Sequence, residues 1–190
     1  MNGAYDAYFE QLKNRSPLSY WYRYGWLYPR LSRFLKGRVL DIGCGLGDMV
    51  RYRANTVGVD VNPKAVEYCR ALGLDVQLMQ PDQLPLADQT FDGAVLDNVL
   101  EHLEHPEPLL GEIRRILKPH GVFIVGVPGR RGYAWDSDHK QYYDETALNA
   151  CMTRAGFSCQ RLMHDPLRSA WLDANLRIYA LYGVYHLAAQ

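Results

Sequence analysis

The sequence feature that most constrains the fold is the run VLDIGCGLGD at residues 39–48, together with VGVD at residues 57–60. The first run is apolar and then breaks into three alternating glycines, Gly43, Gly45 and Gly47. This pattern is typical of a buried parallel strand that turns sharply into a helix, because glycine lets a ligand approach bare backbone. Asp60 ends the second run, and a carboxylate there can accept hydrogen bonds from ribose hydroxyls. The two runs predict a nucleoside-binding crevice.

The composition restricts the type of binding partner and the cellular compartment that we expect for the protein. The 190 residues include 21 basic and 21 acidic side chains, so a net charge of zero gives no electrostatic reason to expect nucleic acid as a partner. The four cysteines form no C-x-x-C pair, which disfavours disulfides and metal sites and is typical of the cytoplasm. No apolar run reaches the roughly 20 residues that span a bilayer, and no signal peptide is recognisable. We expect a cytoplasmic protein without a metal or a membrane span, and the sequence does not indicate an oligomeric state.

The order of the predicted elements indicates an α/β fold. Strands are predicted near residues 39–42, 56–60, 75–79, 91–97, 122–127, 157–163 and 185–189. Helices are predicted near residues 4–14, 29–36, 48–54, 63–72, 109–118, 144–155 and 168–180. Alternating strands and helices imply a mostly parallel sheet that is covered on both faces and binds ligands beyond the carboxyl ends of its strands.

We predict one domain over residues 1–190, because the sequence contains no internal repeat or linker. Within it, residues 1–36 form a helical and aromatic segment that covers the site, and residues 37–190 form the core. The aromatic cluster at residues 20–29 can cap a hydrophobic core or close over a ligand, and we favour the first interpretation.

The glycine spacing separates two classes of nucleoside ligand. Dinucleotide dehydrogenases prefer G-x-G-x-x-G, whose helix N-terminus meets a pyrophosphate. Here the spacing is G-x-G-x-G, and Asp48 follows it directly. A carboxylate at that helix N-terminus repels a pyrophosphate, and Asp41 adds a second negative charge. The site therefore favours a cationic ligand. An NAD-dependent enzyme is disfavoured and ranks third among our hypotheses.

Five motifs, in matching order and spacing, resemble the class I S-adenosylmethionine-dependent methyltransferases of the type 11 or 12 branch. They lie at residues 39–48, 57–60, 84–92, 98–102 and 112–119. The resemblance covers about residues 37–160. It implies a Rossmann-like, doubly wound sheet of seven mostly parallel strands, with the last strand antiparallel and inserted beside the fifth. It also implies S-adenosyl-L-methionine as the cofactor.

The resemblance implies roles for individual residues at the cofactor. It assigns the methionine portion to Asp41, Gly43, Gly45 and Gly47, and the ribose hydroxyls to Asp60. It also implies that Val61 or Asn62 flanks the adenine and that Asp97 lies near the cofactor amino group or the substrate.

The chain departs from the family pattern at the adenine. The usual acidic residue falls on Gln80, and Pro81, which has no backbone N–H, follows it. Either Asp82 and Gln83 move in to contact the adenine, or fewer hydrogen bonds hold it.

Catalytic candidates lie in the loop after the fifth predicted strand. Related sequences often carry a histidine followed by two aromatic residues there, so the resemblance points to His139, Tyr142 and Tyr143. A histidine with a pKa of about 6.5 can act as a base toward a hydroxyl acceptor. The other interpretation is that His139 only anchors the loop, and the same two interpretations apply to His102.

Acceptor binding is predicted at Arg130, Trp135 and Tyr142, which can bind an anionic group or stack on a ring, although a solvated turn explains Arg130 equally well. Our first hypothesis is a methyltransferase that acts on a small-molecule or sugar-type acceptor, at a hydroxyl group. The second is a catalytically weak S-adenosylmethionine-binding partner subunit, which the altered adenine loop motivates.

Overall fold

The N-terminal part of the described chain is mostly helical. The computed structural model describes residues 9–10 and 12–188. Helix α1 is Pro17–Tyr22, a π-helical stretch is Arg23–Leu27, and helix α2 is Tyr28–Ser32. Ser16 caps α1 by accepting a hydrogen bond from the amide of Ser19, with Pro17 at the first turn where its missing N–H costs nothing. The predicted aromatic cluster is therefore helical, and the helix predicted over residues 29–36 instead ends at Ser32.

A seven-stranded sheet forms the centre of the fold, as predicted. Its strands are β1 Val39–Ile42, β2 Thr56–Asp60, β3 Val76–Leu78, β4 Phe91–Asp97, β5 Leu117–Pro128, β6 Phe157–Asp165 and β7 Ala180–Leu187. The strand order is β3-β2-β1-β4-β5-β7-β6. Strand β7 is antiparallel to both of its neighbours, β5 and β6, and the other pairs are parallel. The prediction of a Rossmann-like sheet with an inserted antiparallel strand is confirmed.

Helices pack on both faces of this sheet. They are α3 Asp48–Tyr52, α4 Pro63–Ala71, a 3-10 turn at Leu100–His102, α5 Glu107–Ile116, α6 Arg130–Tyr133, α7 Glu145–Arg154 and α8 Ala170–Asn175. The short α3 was predicted, as were the caps of α4 and α7: Asn62 accepts from the amide of Lys64, and Asp144 accepts from the amide of Ala147.

The C-terminal prediction was wrong in its boundaries. The helix predicted over residues 168–180 is only Ala170–Asn175, and the last strand begins at Ala180 instead of residue 185. Strand β7 hydrogen bonds to β5 on one side and to β6 on the other, so its backbone is fully paired. This pairing between distant segments outweighs the local helical pattern.

The core positions the carboxyl ends of β1, β2 and β4 next to one another. Residues of β1, β4 and β5 alternate between two buried clusters, one on each face of the sheet. Phe9 and Leu12 of the N-terminal segment pack with Leu46 and Ala65 beside the glycine loop. No helix among the described residues is long and apolar enough to cross a membrane.

Candidate functional site

The glycine loop between β1 and α3 requires its glycines. The backbone φ angles of Gly43, Gly45 and Gly47 are +72°, +53° and +72°, in the left-handed region that favours glycine. A Cβ on Gly43 would lie 2.5 Å from Cγ2 of Val99. A Cβ on Gly47 would lie 2.7 Å from Leu74. Gly43 therefore allows the loop to pass close to the segment after β4, and Gly47 allows close packing behind the loop.

Asp60, at the end of β2, fixes the shape of this loop. Its two carboxylate oxygens accept hydrogen bonds from the amides of Gly45 and Asn62, both at 2.8 Å. Burial raises the pKa of Asp60, and these backbone hydrogen bonds oppose the rise. A carboxylate has about four lone-pair positions, so Asp60 retains acceptor capacity for the implied ribose hydroxyls.

Asp41 and Asp97, near the ends of β1 and β4, are close enough for their charges to interact. Asp41 is 6% exposed, and burial together with the nearby charge of Asp97 raises its pKa to about 8. Oδ1 of Asp97 accepts hydrogen bonds from the Tyr182 hydroxyl at 2.9 Å and the Asn98 amide at 3.0 Å. The resulting negative pocket suits a cationic group.

Two arginines from the N-terminal segment balance this negative charge. Nη1 of Arg15 lies 2.6 Å from Oδ2 of Asp48, and Nη1 of Arg23 lies 3.7 Å from Oδ2 of Asp97. Burial opposes the charge of Arg23, but Tyr28 and Asp97 beside it raise its pKa above the ordinary value. Neither arginine was predicted at the site, because an arginine in a helical aromatic segment carries no motif that distinguishes it from a surface residue.

A small cavity of about 50 Å³ lies between these groups. Its lining includes Asp41, Gly43, Gly45, Asp97 and the two arginines, Arg15 and Arg23. A cavity lined by both carboxylates and guanidinium groups can bind the ammonium and the carboxylate of an amino acid.

A larger cavity of about 470 Å³ adjoins the small one. The two cavities share the lining residues Leu12, Arg15, Arg23 and Asn98. The lining of the larger cavity also includes Trp135, Glu101, His102 and His139. The predicted residues Trp135 and His139 therefore lie in the same cavity, next to the cavity that Asp41 lines.

His139 is held in one orientation above Glu101. Its Nδ1 lies 2.9 Å from the carbonyl oxygen of Tyr133, and its ring stacks on the Tyr133 ring. Its Nε2 lies 3.8 Å from Oε1 of Glu101. The amides of Lys140 and Gln141 donate to the Glu101 carbonyl at 2.7 and 3.2 Å, which joins the loop to the 3-10 turn.

Glu101 and His102 both have perturbed pKa values. Burial raises the pKa of Glu101 to about 8, and the charges of Asp97 and Asp136 add to the rise. Burial lowers the pKa of His102, and His139 adds to the decrease. His102 was among the predicted candidates and Glu101 was not, although the Glu–His dipeptide after β4 was the available signal.

Other predicted residues lie elsewhere. Arg130 and Tyr142 line a second cavity of about 360 Å³, where Asp173 accepts from the amide of Arg130 at 2.7 Å and lies 3.3 Å from its Nε. Tyr143 is buried in the main core, and its hydroxyl donates to Gln141 at 3.3 Å. The structure thus brings neither tyrosine into the cavity of His139.

The predicted adenine contacts fall on a surface loop. Gln80 and Asp82 are exposed in the turn after β3, and neither lines the small or the larger cavity described above. Val61 is half-buried against the main core at the end of β2. Their roles toward an adenine remain predictions.

Sequence comparison finds one family model, described as Methyltransferase domain, which matches residues 40–125. A probable S-adenosylmethionine-dependent methyltransferase of Mycobacterium tuberculosis is 31% identical over 176 residues, covering 88% of this chain and 60% of the relative. A probable S-adenosylmethionine-dependent methyltransferase of Mycolicibacterium smegmatis is 31% identical over 156 residues, covering 75% of this chain and 61% of the relative. The chain therefore spans less than two thirds of these relatives' length.

Solved structures share the fold. A chain from the complex between the Trm112 methyltransferase activator of Haloferax volcanii and a methyltransferase aligns with a TM-score of 0.74 at 18% identity, covering 97% of this chain and 98% of that one. An S-adenosylmethionine-dependent methyltransferase from Thermotoga maritima aligns with a TM-score of 0.70 at 22% identity, covering 95% of this chain and 98% of that one.

Proposed function

The chain belongs to the class I S-adenosylmethionine-dependent methyltransferases, and from this membership we propose that it methylates a hydroxyl group of a small-molecule or sugar-type acceptor. The observation that carries the proposal is the pair of adjoining cavities. The small one carries the charges that an amino acid requires, and the larger one holds His139 and an exposed tryptophan, Trp135.

The residues of the small cavity fit the cofactor. The buried carboxylate of Asp41 suits the ammonium and sulfonium charges, and Gly43 and Gly45 leave the backbone bare. Arg15 and Arg23 suit the carboxylate of the methionine portion. When bound, S-adenosylmethionine supplies an activated methyl group on a sulfonium sulfur, so the protein has mainly to align the acceptor.

His139 is the residue that we place at the acceptor hydroxyl. The Tyr133 carbonyl can only accept, so Nδ1 of His139 carries the proton, and Nε2 of the neutral ring is free to accept one. Trp135 lies on the same cavity and offers a face on which a sugar or aromatic ring can stack.

The test is methyl transfer from labelled S-adenosylmethionine to matched hydroxyl, amine and thiol compounds built on the same sugar and aromatic skeletons. We expect label on the hydroxyl compounds, and His139→Gln should lower the turnover about 100-fold. S-adenosylhomocysteine should bind this variant within about twofold of the unaltered protein, because the small cavity is intact. His105→Gln, at an exposed histidine outside both cavities, is the matched control. Transfer to amines alone, or full turnover in His139→Gln, contradicts the proposal.

A second candidate function is that of a cofactor-binding subunit that requires a partner for activity. The structural neighbour from Haloferax volcanii is found in complex with the Trm112 methyltransferase activator, and here the predicted adenine loop is exposed. Binding of S-adenosylhomocysteine without turnover on any acceptor in the panel would favour this second function.

A further inference from the structure

We infer that Glu101, His102 and His139 bind one divalent transition-metal ion on the wall of the larger cavity. One side-chain donor atom from each residue lies within 4.8 Å of the other two. The inference goes beyond the proposed methyl transfer and differs from the sequence-based expectation of no metal site, which rested on the cysteines.

The first observation is the environment of the Glu101 carboxylate. Its side chain is 1% exposed, and neither of its carboxylate oxygens hydrogen bonds to any of the described residues. An unpaired buried carboxylate is among the most costly groups that a fold can contain. Such a group is typically paired with a cation or coordinates a metal.

The second observation is the orientation of His139. Its Nδ1–H donates to the Tyr133 carbonyl, so in the neutral ring the other nitrogen, Nε2, carries the lone pair. This Nε2 lies 3.8 Å from Oε1 of Glu101. No described residue hydrogen bonds to the Glu101 oxygens, so a cation placed between Oε1 and Nε2 could be bound by both atoms. A backbone carbonyl that orients the second ring nitrogen is also the usual partner of a metal-binding histidine.

The third observation is that the backbone already holds the three residues together. His102 lies next to Glu101 in the 3-10 turn, and its ring centroid is 4.6 Å from that of His139. The amides of Lys140 and Gln141 bind the Glu101 carbonyl, so the turn and the loop keep a fixed separation. Metal bonds of about 2.0–2.2 Å place neighbouring donors about 3–3.5 Å apart, so small side-chain rotations complete the site.

The donor set selects the ion. Two imidazole nitrogens and one carboxylate oxygen suit zinc, iron, cobalt or nickel, whereas magnesium and calcium prefer oxygen ligands. Three protein ligands leave coordination positions open, and here the three residues line the cavity that we assign to the acceptor. With its Nε2 bound to the ion, His139 would no longer serve as the base; instead, an acceptor hydroxyl bound to the ion would lose its proton at a lower pH. This last step rests on the proposed function, whereas ion binding does not.

The test is calorimetric titration of Co²⁺, Zn²⁺ and Mg²⁺ into the full chain without a polyhistidine tag, after treatment with a chelator. We expect one equivalent of Co²⁺ and of Zn²⁺ to bind at least 100-fold more tightly than Mg²⁺, and Co²⁺ to give visible absorption bands. Glu101→Gln and His139→Gln should each weaken Co²⁺ binding at least 30-fold. His105→Gln should bind as the unaltered protein does, and melting temperatures establish that each variant is folded.

The outcomes separate this inference from the proposed function. Absence of Co²⁺ and Zn²⁺ binding, or equal Co²⁺ binding in Glu101→Gln and His139→Gln, overturns the metal site whatever the turnover. If the ion binds but chelated protein methylates hydroxyl acceptors at the full rate, the ion has no part in the reaction. If the ion binds and no acceptor is methylated, the proposed function fails and the metal site stands.

Discussion

The buried carboxylate of Asp41 destabilises the ligand-free protein and favours the binding of a cationic ligand. Its carboxylate is buried beside Asp97, so the charged form is unfavourable and its pKa rises to about 8. A bound ammonium or sulfonium group would reverse this preference, because an opposite charge nearby stabilises the carboxylate. Binding of the cofactor should therefore release a proton from Asp41.

At the residue scale, we predict that the affinity for S-adenosylhomocysteine rises between pH 6 and pH 8. Below the ligand-free pKa of about 8, binding must first ionise Asp41, so the association constant gains up to about tenfold per pH unit until it levels off. Asp41→Asn should bind at least about 10-fold more weakly at pH 8, with a flatter pH profile. Calorimetry in buffers of different ionisation enthalpy measures both the affinity and the released proton.

The stability of the same variant provides the control. A folded-state pKa raised above the ordinary 3.8 means that Asp41 destabilises the fold progressively as the pH rises toward about 8. Asp41→Asn should therefore unfold at a higher temperature than the unaltered protein at pH 8. An equally steep affinity profile in the variant would show that another group is responsible.

At the scale of elements, the turn from β1 into α3 depends on backbone conformations that only glycine adopts without strain. Gly43 has a φ of +72° and no room for a Cβ against Val99. Gly111, by contrast, lies on the exposed side of helix α5, where a Cβ meets no atom within 4 Å. The two glycines therefore form a matched pair for mutation.

We predict opposite effects for the two alanine substitutions. Gly43→Ala combines a left-handed backbone with a steric clash and should lower the free energy of unfolding by about 2–4 kcal/mol, with loss of cofactor binding. Gly111→Ala should raise it by about 0.5–1 kcal/mol, because alanine favours a helix interior. Urea denaturation of both variants measures these changes, and a Gly43→Ala protein of normal stability would contradict the steric argument.

At the scale of the whole molecule, the site is assembled from segments that lie far apart in the sequence. Arg15 and Arg23 come from the N-terminal segment, Asp41 and Asp97 from two central strands, and Tyr182 from the last strand. A ligand that contacts all of these segments holds the N-terminal segment and the sheet together. Binding should therefore raise the stability of the whole fold.

We predict that S-adenosylhomocysteine at 100 times its dissociation constant stabilises the protein by about 2.7 kcal/mol. For a chain of this size, that corresponds to an increase in melting temperature of about 5–10 °C. NAD at the same concentration should produce no shift, because Asp48 and Asp41 disfavour a pyrophosphate at the glycine loop. A stabilising effect of NAD alone, measured by scanning calorimetry, would return the dehydrogenase hypothesis to consideration.

Much of the fold was predictable from local sequence. The glycine loop, the Asn62 and Asp144 caps and the strand β4 follow from residues that are close in the chain. The start of β7 was not predictable in the same way, because its hydrogen bonds go to β5 and β6. The N-terminal segment was predicted to be helical, but the boundaries of its helices at Pro17–Tyr22 and Tyr28–Ser32 were not, although a proline lies in the first turn of each.

By itself, the sequence determined the glycine loop, its acidic partners and the motifs that carry the family resemblance, because these features depend on short motifs with strong backbone requirements. The seven-stranded sheet was implied by that resemblance. Only the tertiary structure placed Arg15 and Arg23 beside the carboxylates, moved Tyr143 into the core and set His139 over the buried Glu101. Those relations depend on how a helix and a long loop fold back onto the ends of the strands. Since such contacts join residues distant in the chain, no local pattern specifies them.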